Sequence, residues 1–102
     1  MNDLNFEHSE HRWDFDRFAM AFDAYDGEKR VMCMISGEAL LGHFGARPLR
    51  EAMEVAFVVN KPEIEEKARE LYRAGTLNEE GRLLLRSSDF QYQNGAVALA
   101  KQ

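Results

Sequence analysis

The chain predicts an α+β domain in which a small antiparallel sheet is backed by helices on one face, with elements in the order β-β-α-α-β. Three observations carry that expectation. Apolar residues alternate with period two across residues 18–35. The pattern switches to a helical period within the single step Ser36-Gly37-Glu38, and a long helical stripe is followed by a last short apolar run at residues 82–86.

Residues 1–12 are polar apart from Leu4 and Phe6, which suits a flexible N-terminal segment or a short edge strand. Residues 13–90 are expected to form one α+β domain and residues 91–102 a C-terminal tail with a small apolar patch at 96–100. From Phe18, the positions Phe18, Met20, Phe22 and Ala24 alternate with Ala19, Ala21, Asp23 and Tyr25, as in a half-buried strand. Asp26-Gly27 then offers the positive φ that a tight hairpin requires. In the second strand, Val31, Cys33 and Ile35 share one face, so Met32 and Met34 lie on the other. Both faces are apolar, and the strand is therefore central or covered by something on its second face.

Ser36 is suited to cap a helix, since its hydroxyl can accept from the open amides of the first turn, and Glu38 places a carboxylate at the positive end of the dipole. A short helix through Leu40, Leu41 and Phe44 should stop at Gly45, and Pro48 suits the first turn of a second helix. On that helix Leu49, Ala52, Met53, Ala56, Phe57, Ile64, Ala68 and Leu71 make one stripe. Pro62 lacks an amide hydrogen and predicts a kink or break at 60–62, where Asn60 and Glu63 have capping-box spacing. After Gly75 and the turn at 78–81, residues 82–86 read as a third strand with Leu83 and Leu85 on one face and Leu84 on the other. The expected core is Phe18, Met20, Phe22, Val31, Cys33, Ile35, Leu40, Leu41, Phe44, Met53, Phe57, Ile64, Ala68, Leu71 and Leu85.

Composition bounds the function classes. A length of 102 residues fits one domain, and 45% hydrophobic residues place it outside the regime of disorder. A net charge of -5 opposes approach to phosphate backbones and anionic membrane surfaces, which makes generic nucleic-acid binding unfavourable. One cysteine cannot close an internal disulfide, and no apolar run approaches the roughly 20 residues that span a bilayer. With no leader-like opening, a cytoplasmic protein is expected.

The junction Val31-x-Cys33-x-Ile35-Ser36-x-Glu38-Ala39-Leu40, together with Phe44-Gly45, Ala56-Phe57, Ile64-Glu65, Ala68 and Ser88-Asp89-Phe90, resembles a bacterial family known only as domain of unknown function 1488. The resemblance covers about residues 18–90. It implies a small cytoplasmic α+β protein and brings no activity and no catalytic residues. Pro62 and the longer tails depart from the family pattern.

Four sets of residues are candidates for chemistry. His8 and His11 in Glu7-His8-Ser9-Glu10-His11 could meet on a metal if that segment were helical, but a polar tail rarely holds such geometry. Cys33 and His43 are the thiol and imidazole of the folded block, and Cys33 shares a face with Val31 and Ile35, which favours an inert core position. Glu38 reads as a helix-start residue rather than a general acid. Arg47, Arg50, Arg82 and Arg86 form an anion-binding set if the loop before the second helix lies near the third strand.

Val55, Val58 and Val59 carry a different message. They lie away from the stripe centred on Met53 and Phe57, so the same helix has a second apolar surface. The sequence is thus read as a non-catalytic protein-interaction or regulatory module, acting as a homodimer or on an unknown protein partner, with no catalytic residue, metal or cofactor assigned. The alternative is a small anionic-ligand or nucleic-acid binding protein using the arginines, and an enzyme ranks third.

Overall fold

The computed structural model describes residues 3–90. Its elements are β1 (His11–Asp14), β2 (Ala19–Asp26), β3 (Lys29–Ser36), α1 (Gly37–Gly42), α2 (Arg50–Val59), α3 (Lys61–Arg73) and β4 (Leu83–Leu85), and residues 87–90 are helical. The sheet order is β1-β2-β3-β4. The first two pairings are antiparallel, but β4 joins β3 in parallel, so the sheet is mixed rather than antiparallel. The cause is the long connection between them. Three helices carry the chain back along one face to the end where β3 began, the kind of crossover that parallel neighbours require.

The α+β class holds, and the core lies between the helices and one sheet face. Met20 and Phe22 from β2, Cys33 and Ile35 from β3, and Leu83 and Leu85 from β4 meet Leu40, Met53, Phe57, Ile64 and Ala68. Phe22 and Phe57 pack ring to ring at 5.2 Å, which ties α2 to the centre of the sheet. Tyr72 on α3 donates from its hydroxyl to the Asp26 carboxylate, closing the end of the β2-β3 hairpin against the helix layer. That hairpin turns through Gly27 at φ +64°, as the Asp-Gly step predicts.

The helix starts follow the capping expectation only in part. Ser36 Oγ accepts from Ala39 N at 3.1 Å and starts α1. Gly45 has the expected positive φ of +68°, but α1 itself ends at Gly42. Pro48 stands two residues before α2, whose cap is Leu49. The break expected at 60–62 is present, yet Asn60 does not form a capping box. Its side-chain amide turns back and donates to Ala56 O at 2.8 Å, on the helix it ends rather than the one it starts.

Two regions differ in part from expectation. The N-terminal segment, read as flexible or as a short edge strand, takes the edge form and is held against α3: Leu4 and Phe6 are buried, Asn5 bridges Tyr25, and Arg69 donates to Leu4 O while covering the Phe6 ring. Arg73 pairs with Asp3 at 2.6 Å and holds that carboxyl below its ordinary value. Two apolar residues spaced by one polar residue were enough to make a short edge segment. The second difference is Phe18, which is 40% exposed and lies outside β2. It sits at φ 50° in the reversal between β1 and β2, a costly backbone region for a bulky residue. Its ring lies over Gly37 and meets Trp13 edge-on at 5.3 Å, and its carbonyl accepts from Gly37 N at 2.8 Å. Leu41, Phe44 and Leu71 are only partly buried, whereas Leu83 and Phe90 are fully buried. Residues 91–102 lie outside the described part.

Two outcomes follow from this packing. Phe57→Ala should cost about 3–5 kcal/mol in denaturant unfolding, a large share of a total near 5–15 kcal/mol; a loss below about 1 kcal/mol would show that Phe57 does not anchor α2. A Cβ at Gly37 would overlap the Phe18 ring. Gly37→Ala should therefore swing that ring off Trp13, change the emission of the chain's single tryptophan and cost about 1–2 kcal/mol; unchanged emission would place the ring elsewhere.

Candidate functional site

On α2, Met53 and Phe57 face the core, while Val55, Val58 and Val59 point to the opposite side and are 60%, 47% and 70% exposed. Leu49, at the start of the helix, is also exposed. A 100° step per residue sets this division: the valines fall about half a turn from the buried stripe. No described element covers them. Glu51 is in the first turn of α2, and Lys61 is the first residue of α3, just beyond the end of α2.

The sheet has a second face of its own. Period-two alternation turns Ala19 and Ala21 of β2, Met34 of β3 and Leu84 of β4 away from the helices, and these four form a separate apolar cluster. Over it lies an open depression of about 580 Å³, lined by Ala19, Met34 and Leu84 below and by Arg17, Ser36 and Arg86 among the polar residues at its rim. Glu80 on that rim meets both Arg17 and Arg82 at 3.6 Å. Arg17 is further held by Asp14 at 3.2 Å. The Arg86 side chain makes no ion pair among the described residues. Sequence periodicity signalled this surface through the outward Met34 and Leu84, but the contributions of Arg17 and of the serines at 87 and 88 had no local signal.

The four arginines are not brought together. Arg50 spreads over the Phe15 ring at 5.9 Å beside β1, Arg82 and Arg86 flank β4, and Arg47 lies exposed between α1 and α2. Since β1 and β4 are the two edges of the sheet, Arg50 stands apart from Arg82 and Arg86, although the loop before α2 begins with His43 and Phe44 packed on Phe90 just after β4. The histidines separate as well. His11 Nε2 contacts Glu54 at 3.1 Å with its ring against Phe57, while His8 is exposed. Among the described residues no group of three His, Cys, Asp or Glu side chains could hold a metal ion.

Cys33 is fully buried beneath the helices, and its thiol contacts Val31 O at 3.8 Å. Burial, with the charge of Asp23 second, pushes the thiol up to about 12. A thiol held protonated at neutral pH is a poor nucleophile. His43 is bound elsewhere, with Nε2 at 3.1 Å from Glu63 and its ring stacked on Phe90 at 5.0 Å. Asp23, the other nearly buried acid, is satisfied by Glu10 N and by Arg30 Nε at 3.0 and 3.1 Å. Glu38 sits in the first turn of α1, as its helix-start reading holds.

An α+β domain with a helix-covered face, an open sheet face and an exposed valine stripe is the class that fold and surfaces define. The chain belongs to the family described as "Protein of unknown function (DUF1488)", whose profile matches residues 4–85. Its fold is similar to the crystal structure of a protein of unknown function from that family from Shewanella loihica PV-4, with a TM-score of 0.74 and 19% identity over 81% of this chain and 91% of that one. No curated protein matches the chain. No helix among the described residues is long and apolar enough to cross a membrane.

The buried thiol makes a pH prediction. Folded Cys33 keeps its proton up to about 12, whereas an unfolded thiol releases it near 9.0. Between those values the unfolded chain binds fewer protons, so stability contributed by Cys33 falls as pH rises from 9 toward 12. Cys33→Ala should flatten that alkaline limb relative to wild type in denaturant midpoints, and native wild type should resist alkylation at neutral pH. Rapid alkylation of the folded protein would overturn the inert-core assignment.

Proposed function

We propose that this protein is a non-catalytic protein-interaction module of the bacterial cytoplasm and that it works through the valine face of α2, with a second copy of the chain as the simplest partner. The single observation that carries the reading is the exposure of three β-branched apolar side chains on the side of α2 turned away from the buried stripe, on a helix whose inner face already satisfies the core. Exposed apolar residues scattered singly are ordinary, but a stripe along one helix has a geometry that another helix can match. Antiparallel pairing about a two-fold axis would set each valine row on its counterpart and bring Glu51 of one copy toward the partner's end of α2, where Lys61 lies.

Magnitudes restrict how tight such a pair can be. Covering a valine completely contributes at most about 1.5–3 kcal/mol, and these are already partly covered. Association costs about 4–15 kcal/mol of lost freedom. The valines alone therefore support a weak, concentration-dependent dimer. Sedimentation velocity of wild type should show a reversible monomer-dimer equilibrium, and Val58→Glu should leave a folded monomer because a carboxylate would have to be buried against its own copy. A wild type that stays monomeric at every accessible concentration would remove the self-association, and a dimer untouched by Val58→Glu would move it to another surface.

A further inference from the structure

We propose that the depression on the open sheet face binds a small amphipathic monocarboxylic acid, with its hydrocarbon body on Ala19, Met34 and Leu84 and its carboxylate at Arg86. The volume of about 580 Å³ lies within the usual range of small-molecule sites, about 300–1,000 Å³. Its floor is apolar and forms a cluster separate from the main core. The floor is also recessed: Met34 is only 4% exposed although it lies in a cluster apart from the helix-packed core. A narrow hydrocarbon chain can reach such a floor between the flanking side chains, whereas a flat protein surface cannot.

Charge decides the head group. Of the cations around the depression, Arg17 is engaged by Asp14 and Glu80, and Arg82 by Glu80. Arg86 is left without an ion pair among the described residues and can offer its planar fork to a carboxylate. Ser36 and the serines at positions 87 and 88 stand at the same rim. Ser36 Oγ already accepts from Ala39 N, which leaves its O–H free to donate. Glu38 is also on the rim, and its negative charge disfavours a second carboxylate, which selects a monoacid over a diacid. This site is on the sheet face and is independent of the valine surface on α2.

The test uses full-length protein and decanoate below its micellar concentration, followed by amide and methyl chemical shifts. Saturable shifts are expected at Ala19, Met34, Leu84 and Arg86. Arg86→Gln, a change at an exposed position, should weaken decanoate by about tenfold or more while leaving the uncharged decanol unchanged. Ala19→Leu fills the floor and should weaken both. Far-UV circular dichroism and unchanged shifts in the helix layer would confirm that each variant is folded. The proposal is overturned by shifts confined to Val55, Val58 and Val59 or to residues 91–102, by equal decanoate affinity in Arg86→Gln, or by the absence of saturable shifts in wild type.

Discussion

Much of this architecture depends on the junction where β3 becomes α1. Ser36 is the last residue of the central strand and at the same time the cap of the helix, accepting from Ala39 N. One residue on, Gly37 donates its amide to Phe18 O and lies under the Phe18 ring, so the start of α1 is locked to the β1-β2 reversal from outside the core. A side chain at position 37 would lift that ring away. Because the helix leaves the strand in a direction set by these contacts, the following helices cross one face only. The chain then returns beside β3 and pairs in parallel. The described helices α1, α2 and α3 leave the other face to a separate apolar cluster, a consequence of the same junction.

How far this was legible in the sequence depends on the range of the interactions involved. Alternation at 19–25 and 31–35, the Ser36 cap, the Gly27 turn and the inward Met53-Phe57 stripe are local patterns, and each appears where the pattern placed it. The parallel entry of β4 was not legible, because three leucines have the same alternation whichever way the strand runs. Phe18 was misread for a related reason: its period matched β2, but the reversal from β1 forced it into a left-handed conformation. For the N-terminal segment the sequence left a flexible form and a short edge strand open, because only Leu4 and Phe6 were local signals and the contacts from Arg69 and Arg73 come from the distant α3. Of the candidate sites, the valine face was legible since helical phase alone defines it. The arginine set was less so, since spacing does not show that Arg50 lies over Phe15 beside β1, at the sheet edge away from β4.

The ion pairs among the described residues of this acidic chain are mostly exposed, such as Arg69 with Glu66 and Arg82 with Glu80. Exposed pairs of this kind contribute about 0–1 kcal/mol each and are screened by salt, so they shape the surface more than they hold the fold. Lys67 is the exception in position: it is nearly buried, with its ammonium over the Phe90 ring at 6.0 Å and bonded to Glu70 at 2.9 Å. Its stem packs where the helical residues 87–90 return to the core, which explains how a charged residue occupies the inner side of α3.

The two surfaces stand on opposite sides of a single core layer. The valines are on the outer side of α2, whose inner side rests through Phe57 on Phe22 of β2, and the floor residues Ala19 and Ala21 occupy the reverse face of that same strand. A packed layer of this kind transmits position but has one arrangement, not two, so contact at one surface has no built-in switch at the other. The proposed association through α2 and the proposed occupancy of the sheet face are therefore separable. Period-two alternation gives the sheet two apolar faces, and the described helices α1, α2 and α3 pack on one of them.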